Sequence, residues 1–342
     1  MDVRLVICGL GRVGQAFVGL LIQKDPDLKK RYELNLKVVA AVDIGGAAIS
    51  PEGLPLKELL AHLQKKQPVE TFRSYGKKGL SGKEALGFHF VDLLVETTPT
   101  NIRDGGPALT HLRAALSHGC HVVTAAKGPL VLRYHELKTL AEKQKVRLMI
   151  SAATAAALPT LDVGMTCLAG TEILAAEGIL NGTTNYILTR MYEDGSPYGE
   201  ALAEAQRMGV AEPDPSLDVE GRDTANKILL IANEVFQASL TLEDIPVEGI
   251  TRVTPEEVAR VKKEGKVIKL IGRVERKDGK VVASVTPIPL PLAHPLAQVR
   301  GTEKAISYLT DTMDRVTVSG GKSNPMGAAA AILKDIIRIY RG

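Results

Sequence analysis

The sequence contains no tryptophan, and aromatic residues make up only 4% of its 342 residues. Its 43 Lys and Arg residues are nearly balanced by 39 Asp and Glu residues, which gives a net charge of +4 with both signs mixed along the chain. Nucleic-acid grooves and polybasic membrane patches need clustered positive charge, often beside stacking aromatics. Neither class of partner is therefore expected.

Cysteine is also scarce, with Cys8, Cys120 and Cys167 widely separated. An odd number without a CxxC pair predicts neither a disulfide framework nor a cysteine metal site, and is typical of a reducing compartment. The sequence has no apolar run long enough to span a bilayer, and its start lacks the basic and apolar regions of a signal peptide. We expect a soluble cytoplasmic protein.

The first 150 residues alternate between buried-strand and helix patterns, which predicts a parallel, doubly wound α/β sheet. The composition, 45% hydrophobic and 24% charged, is that of a globular protein, and the length allows two domains. The expected strands cover Val3–Cys8, Val38–Val42, Phe90–Val95, Val122–Thr124 and Arg147–Ile150, and the expected helices cover Gln15–Gln23, Gly106–Ser117 and Tyr134–Lys143.

The regular alternation stops near residue 151, and the segment 151–319 has the mixed pattern of an α+β domain. Asp278-Gly279 between two apolar, β-rich runs predicts a hairpin. A glycine-rich start at residue 320 precedes an apolar helix, Met326–Tyr340, so we expect residues 320–342 to pack back on the first domain, 1–150.

Three spaced glycines, Gly9, Gly11 and Gly14, directly follow the first predicted strand and open the first helix. This is the context that a Rossmann-type dinucleotide-binding loop requires. The first glycine permits a tight turn, the second lets the backbone approach a pyrophosphate, and the third allows close helix–strand packing. The helix start, with Arg12 and Val13, adds N–H donors and partial positive charge. An ordinary strand-to-helix turn is the structural alternative.

Asp43 ends the second predicted strand, where an acidic residue holds a ribose hydroxyl of NAD. Arg12, inside the glycine loop, is suited to the 2′-phosphate of NADP. The residues therefore leave NAD and NADP both open.

The densest group of charged residues lies between Glu212 and Lys227, where five carboxylates precede one lysine. The proline-rich half predicts a loop, and a helix is expected to begin near Gly221. Asp223 and Lys227 then lie four residues apart on one helical face, close enough to pair. A solvated loop followed by a surface salt bridge is the alternative.

Three motifs together resemble homoserine dehydrogenase over essentially the whole chain: Leu180-Asn-Gly-Thr-Thr-Asn-Tyr-Ile-Leu188, Asp218-Val-Glu-Gly-x-Asp223-x-x-x-Lys227 and Val122-Val-Thr-Ala-Ala-Lys127. The length resembles the short form without a C-terminal ACT regulatory domain. The resemblance implies reversible reduction of L-aspartate 4-semialdehyde to L-homoserine by NAD(P), a step in the biosynthesis of threonine, methionine and isoleucine. It also implies a homodimer paired through the sheet of the second domain, where the apolar runs Ile179–Leu188 and Val267–Val274 exceed what one small domain needs to cover.

The resemblance further assigns roles to residues of this chain. It implies that Lys227 donates the proton, that Asp223 orients the substrate or its water, and that Lys127 lies between nicotinamide and substrate. Glu212 is implied to bind the substrate amino group. The remaining expected contacts are Asn181, Gly182, Thr183 and Asp218 for the substrate, and Thr97 and Thr98, after the third predicted strand, for the cofactor.

One segment departs from the family, which binds a monovalent cation through the backbone of a Glu-x-x-Val-x-Gly-Gly-Ile-Pro stretch. Here Ser151 replaces the acid and alanines replace the glycines. The carbonyl oxygens of Thr154, Ala156 and Leu158 remain as ligands, but the carboxylate charge is missing. We expect a weak or absent Na⁺ site.

Two other functions compete with this hypothesis. An aldehyde dehydrogenase acting on the same semialdehyde needs a nucleophilic cysteine beside a base, and only Cys120, between His118 and His121, has such neighbours. A non-catalytic NAD(P)-binding sensor is favoured only by the altered alanine stretch and by Ala126, where many family members have asparagine.

Overall fold

A computed structural model describes residues 1–88, 90–321 and 324–342. The chain forms two compact units. The first combines Met1–Ala156 with Asn324–Gly342, and the second begins at Ala157, with Gly321 as its last described residue. Lys322 and Ser323, inside the predicted returning segment, lie outside the described residues. Among the helices of the described ranges, none combines the length and apolar character needed to cross a membrane.

The first unit is built around a seven-stranded sheet. Its strands are β1 (Asp2–Cys8), β2 (Asn35–Asp43), β3 (Gly46–Ile49), β4 (Gly76–Lys78), β5 (Leu93–Glu96), β6 (His121–Thr124) and β7 (Leu148–Met149). Its helices before the second unit are α1 (Arg12–Tyr32), α2 (Leu56–Gln64), α3 (Gly82–Leu86), α4 (Gly106–Ser117), α5 (Lys127–Lys143) and α6 (Ser151–Thr154), with 3₁₀ turns at Val69–Thr71 and Arg73–Tyr75.

The strand order β4-β3-β2-β1-β5-β6-β7 confirms the doubly wound sheet. Strands β2, β1, β5, β6 and β7 are parallel, whereas β3 and β4 form an antiparallel edge that the sequence did not predict. Segments of three and four residues are too short to show an apolar period. Strand order reverses between β1 and β5, and such a switch point is where dinucleotides bind.

The second unit contains the predicted mixture of helices and antiparallel strands. Its helices are α7 (Thr160–Asp162), α8 (Gly182–Asp194), α9 (Tyr198–Arg207), α10 (Ser216–Val219), α11 (Arg222–Val235) and α12 (Pro255–Lys263), with a π-helical turn at Val163–Cys167 and 3₁₀ turns at Leu242–Asp244 and Pro295–Gln298. Its strands are β8 (Ile173–Ile179), β9 (Lys266–Lys277), β10 (Lys280–Pro291), β11 (Lys304–Thr310) and β12 (Arg315–Gly320), in the order β10-β9-β8-β11-β12.

The hairpin predicted from Asp278-Gly279 is confirmed. Lys277 of β9 pairs with Lys280 of β10, so the loop has only these two residues, and both have positive φ, 51° and 73°. Two-residue loops of this conformation match the right-handed twist of the flanking strands, which explains the preference for Asp-Gly.

The last helix, α13 (Pro325–Arg341), belongs to the first unit. Ala329, Ile332 and Ile336 of this helix are fully buried in the same apolar core as Phe17 of α1. Asn324 caps the helix by accepting the N–H of Gly327 at 2.7 Å.

Candidate active site

The glycine loop after β1 has a different steric reason for each glycine. Gly9 has φ +91°, and a Cβ there would lie 2.5 Å from the backbone nitrogen of Thr98. A Cβ on Gly14 would lie 2.1 Å from the Gly9 carbonyl oxygen, so helix α1 needs a glycine to pack this closely. A Cβ on Gly11 would meet no described atom within 4 Å. Glycine at that position therefore leaves open space beside the helix start, where a pyrophosphate needs to approach.

The neighbouring cofactor candidates surround this loop within the first unit. Gly11 is the N-cap of α1, so Arg12 and Val13 occupy its first turn, where unpaired N–H groups favour an anion. Asp43 is the last residue of β2, beside β1, and its Oδ1 accepts the N–H of Ile44 at 3.0 Å. Thr97 follows β5 and donates from its hydroxyl to the Gly9 carbonyl oxygen at 2.6 Å. The residues present thus fit a dinucleotide.

In the second unit, Lys227 and Asp223 form an ion pair on one face of α11, as their spacing predicts. Lys227 Nζ lies 2.5 Å from Asp223 Oδ2, and the two side chains are only 12% and 14% exposed. The ammonium also donates to the Leu180 carbonyl oxygen at 2.7 Å. The pair is therefore largely withdrawn from water, unlike the surface salt bridge considered as the alternative. Leu180 contributes through its backbone, which side-chain patterns do not reveal.

Asn181 connects this pair to the rest of the predicted motif. Its amide donates to Asp218 Oδ1 at 2.7 Å and to Asp223 Oδ2 at 2.9 Å. Its Oδ1 accepts the N–H of Thr184 at 3.0 Å, which makes Asn181 the side-chain N-cap of α8. The oxygen of the Asn181 amide thus caps α8 while its nitrogen holds the carboxylates of Asp218 and Asp223.

The other residues expected to contact the substrate each have a distinct local environment. A Cβ on Gly182 would lie 2.9 Å from the Thr302 carbonyl oxygen, so this glycine permits a close backbone approach. The Thr183 hydroxyl donates to the Val210 carbonyl oxygen at 3.0 Å. Glu212 has an exposed side chain, and its backbone oxygen accepts from the Gln206 amide at 3.3 Å.

Lys127 is the first residue of α5 and belongs to the first unit. Its backbone N–H donates to the Thr100 hydroxyl oxygen at 3.4 Å. Its side chain is partly exposed.

Ser151 stands where the family has the carboxylate of its cation-binding stretch, and in this chain it makes a different set of contacts. Its backbone N–H and its hydroxyl both donate to the buried Asp335 carboxylate, at 3.1 and 2.8 Å, and the hydroxyl accepts from Lys334 at 3.0 Å. Burial is the main cause that raises the pKa of Asp335. Ser151 is therefore tied to α13.

Among the three carbonyl candidates, Thr154 and Ala156 belong to the first unit and Leu158 to the second. Ala156 has φ +54°, a left-handed conformation that favours glycine. The backbone thus keeps a glycine-like conformation with alanine in place.

The cysteine that an aldehyde dehydrogenase would need does not have the properties of a nucleophile. Cys120 is buried and its thiol donates to the Val91 carbonyl oxygen at 3.3 Å. Burial raises its pKa to about 11. The reactive thiolate is therefore disfavoured at neutral pH.

Comparison with known proteins decides the family. The model of the homoserine dehydrogenase NAD-binding domain matches residues 9–151, and the homoserine dehydrogenase model matches residues 159–337. The chain belongs to the homoserine dehydrogenase family. A homoserine dehydrogenase from Methanocaldococcus jannaschii is 41% identical over 98% of both chains. An NAD(+)-dependent homoserine dehydrogenase from Pseudomonas canavaninivorans is 34% identical over 99% of this chain and 97% of its own length.

The same family is found among solved structures. A crystal structure from Archaeoglobus fulgidus, assigned as a homoserine dehydrogenase, has a TM-score of 0.88 and 36% identity and covers 99% of this chain and 100% of its own. Membership of the homoserine dehydrogenase family makes the chain an NAD(P)-dependent oxidoreductase. The sensor alternative is not favoured.

Proposed function

We propose that the chain reversibly reduces L-aspartate 4-semialdehyde to L-homoserine with NAD(P), and that Lys227 is the proton donor. The observation that carries the proposal is the secluded network in which one Asp223 oxygen accepts from both Lys227 and Asn181. Such a network holds an ammonium in a fixed orientation, which proton transfer to a substrate oxygen requires.

The chemistry of a carbonyl reduction explains why a lysine suits this position. Bound NAD(P) supplies or accepts the hydride. As the carbonyl oxygen gains negative charge, a positioned cation stabilises it. An ammonium has three N–H donors, and two of those on Lys227 are engaged within the described chain, by Asp223 and by the Leu180 carbonyl. The third is proposed to hold the substrate oxygen and to deliver the proton.

Two further charged residues complete the proposed assignment. Glu212 is exposed on the loop before α10, so its carboxylate is available to bind the substrate ammonium. Lys127 is proposed as a second cation for the developing oxyanion, a role that rests on the family resemblance. Asp218, Gly182 and Thr183 are proposed to shape the substrate site, since Asp218 shares Asn181 with the catalytic pair.

The cofactor loop is proposed to accept both NAD and NADP. Asp43 supplies the acid for a ribose hydroxyl, and the exposed Arg12 supplies a cation for a 2′-phosphate. The ratio of kcat/KM for the two cofactors in the wild-type chain and in Arg12→Ala tests this. Loss of NADP activity alone is expected in the variant, whereas an equal loss with both cofactors would contradict the role of Arg12.

An assay of NAD(P)⁺ reduction with L-homoserine tests the proposed function. Formation of NAD(P)H that depends on L-homoserine is expected. NAD(P)H formation only with the semialdehyde as substrate would favour the aldehyde dehydrogenase, and cofactor binding without turnover would favour the sensor.

The cation prediction is tested by the same assay. Because Ser151 is engaged with Asp335, we expect replacing Na⁺ by a bulky organic cation to change kcat less than twofold, which is within about 0.4 kcal/mol. A large loss of activity on removing Na⁺ would overturn the prediction.

We further infer a homodimer in the cytoplasm. Ile179, Val267 and Ile271 are buried in the core of the second unit, so these apolar side chains are already covered within one chain. The homodimer rests on the family resemblance, and a monomeric mass by light scattering at micromolar concentration would contradict it. Three free cysteines, Cys8, Cys120 and Cys167, agree with a reducing compartment.

A further inference from the structure

Glu96, the last residue of β5, is a fully buried carboxylate with both oxygens engaged. Oε1 accepts the backbone N–H of Thr98 at 2.7 Å and its hydroxyl at 2.5 Å. Oε2 lies 2.7 Å from His111 Nδ1. A carboxylate that is enclosed in this way needs such donors, because burying an unpaired charge is costly. Neither Glu96 nor His111 belongs to one of the three motifs that carry the family resemblance.

His111 holds this carboxylate from helix α4. His111 Nδ1 faces the Glu96 oxygen that Thr98 does not use, so the imidazole and Thr98 hold opposite sides of the carboxyl group. The ring lies against Gly82, where an added Cβ would be 2.5 Å from Nε2 and 2.9 Å from Cys8 Sγ. Gly82 therefore leaves the space that fixes the imidazole beside Glu96.

Cys8, Glu96 and His111 bring three potential ligand atoms within 4.8 Å of one another, but the cluster has the properties of a hydrogen-bond chain. Both Glu96 oxygens already accept bonds, and burial, together with nearby Glu96 and Asp43, raises the pKa of the Cys8 thiol. A metal would need the thiolate, which is disfavoured here. The series of hydrogen bonds from His111 through Glu96 ends at Thr98. It therefore fixes the direction in which the Thr98 hydroxyl points its proton.

Thr98 lies on the side of the switch point where the nicotinamide half of a dinucleotide belongs. Asp43 ends β2 on one side of β1, and the glycine loop that receives the pyrophosphate follows β1 itself. A dinucleotide bound at this loop would extend over the opposite neighbour, β5, after which Thr98 stands with a partly exposed side chain.

We propose that Glu96 is a positioning residue that makes the Thr98 hydroxyl a hydrogen-bond acceptor toward the nicotinamide half of the cofactor. The hydroxyl proton is committed to Glu96, so only the oxygen lone pairs remain for a ligand. The matching donor is an N–H of the carboxamide or an O–H of the adjoining ribose. This inference rests on the proposed function, because it assumes that the cofactor is NAD(P).

Calorimetric dissociation constants for NAD⁺ without substrate test the proposal in the intact protein. Thr98→Val removes the acceptor at nearly constant volume and is expected to weaken binding about three- to tenfold, the usual net worth of one hydrogen bond. Thr98→Ser keeps the hydroxyl and should bind like the wild type. Thr310→Val removes a buried hydroxyl in the second unit and serves as the control. Wild-type affinity in Thr98→Val would overturn the proposal.

The cofactor analogue 3-acetylpyridine adenine dinucleotide, in which a methyl group replaces the carboxamide nitrogen, identifies the donor. If the carboxamide is the donor, the wild type binds NAD⁺ more tightly than the analogue, and Thr98→Val does not discriminate. If the ribose is the donor, Thr98→Val weakens both ligands equally. Each pattern supports acceptance by Thr98, whereas unchanged affinity of Thr98→Val for both ligands contradicts it.

The role of Glu96 is tested by a double-mutant cycle. Glu96→Leu should weaken NAD⁺ binding as much as Thr98→Val, and the double variant should lose no more than either. Glu96→Gln keeps an acceptor oxygen for Thr98, so we expect it to retain most of the NAD⁺ affinity that Glu96→Leu loses. Additive losses would overturn the positioning role. Should Glu96→Leu not fold, the comparison of Glu96→Gln with Thr98→Val decides: equal losses in these two would also overturn it.

Failure of the proposed function gives a different result. A chain that binds NAD⁺ with the expected dependence on Thr98 but does not oxidise L-homoserine retains this inference and loses the proposed function. A chain that binds no dinucleotide loses both.

Discussion

The Lys227 ammonium donates to the backbone carbonyl of Leu180 at 2.7 Å, the residue directly before the N-cap of α8. A backbone acceptor is present whatever side chain occupies position 180. The lysine on α11 that we propose as the proton donor is thus oriented by the start of a different helix. Its position depends on how the two helices pack, and substitutions on the surface of α11 are expected to leave it unchanged.

Replacing Lys227 by alanine is expected to lower kcat by about 10²–10⁴, the usual worth of general acid catalysis, with unchanged NAD⁺ affinity. Steady-state kinetics and calorimetry measure the two quantities. Lys262→Ala is the control, because Lys262 also donates to a backbone carbonyl, that of Tyr192 at 2.8 Å, but lies exposed on α12. Near-normal kcat in a folded Lys227→Ala protein would make the lysine structural.

Glu212→Ala is expected to act mainly through KM for L-homoserine. A carboxylate that binds the substrate ammonium contributes similarly in the ground state and in the transition state, so kcat should change little. Glu243→Ala, also exposed and in the same unit, should change neither parameter. A fall in kcat at unchanged KM would instead place Glu212 in the chemical step.

Asn181→Ala should reduce both stability and activity. Loss of the N-cap costs about 1 kcal/mol, and loss of the amide releases Asp218 and Asp223. Asn324→Ala removes an equivalent N-cap from α13 and should reduce only the free energy of unfolding. Denaturant titration and kcat/KM separate the effects, and equal activity in the two variants would argue against a positioning role for Asn181.

Gly11→Leu is expected to abolish cofactor binding while the chain stays folded, because no described atom lies within 4 Å of the added Cβ. Gly199→Leu, on α9 and equally open, serves as the control and should bind NAD⁺ normally. Calorimetry gives the affinity and circular dichroism the fold. Unchanged affinity in Gly11→Leu would remove the glycine loop from the cofactor site.

Because Lys269 is buried, we expect the free energy of unfolding to depend on pH in the alkaline range. Burial, with nearby Arg300, lowers its pKa from 10.5 to about 8, while the ammonium donates to Val299 and Asn185. Between these values the unfolded chain binds a proton that the folded chain does not, so the free energy of unfolding rises with pH. The rise from about pH 8 to 10.5 is on the order of 3 kcal/mol.

Urea titrations of the wild type and Lys269→Met across this pH range isolate that contribution. The difference between the two proteins should grow with pH in favour of the wild type and then level off above pH 10.5. A parallel pH dependence in both proteins would show that Lys269 is not the group that titrates.

Local backbone constraints made the cofactor loop predictable from sequence. The positive φ of Gly9 and the contact of Gly14 with the Gly9 carbonyl both lie within one turn and one helix start, so the spacing of the glycines carries the information. The pair of Asp223 and Lys227 was predictable for the same reason, since it lies within one helical turn.

Contacts between distant segments could not be predicted in this way. Asn181 meets Asp218 and Asp223 across 37 and 42 residues, and His111 meets Glu96 through helix-on-sheet packing. Neither geometry leaves a period or spacing in the sequence. The family resemblance indicated that Asn181 matters, but only the structure shows that it bonds two carboxylates while capping a helix.

The return of α13 to the first unit has a consequence for synthesis on the ribosome. Residues 1–156 emerge without Ala329, Ile332 and Ile336, which complete their core. At roughly 5–20 residues per second, the intervening segment delays α13 by about 10–30 s. During that interval the nascent first unit exposes apolar surface, whereas the second unit is contiguous in the chain and needs no later segment. Chaperones that bind nascent chains are therefore expected to hold the first unit until translation reaches the last helix.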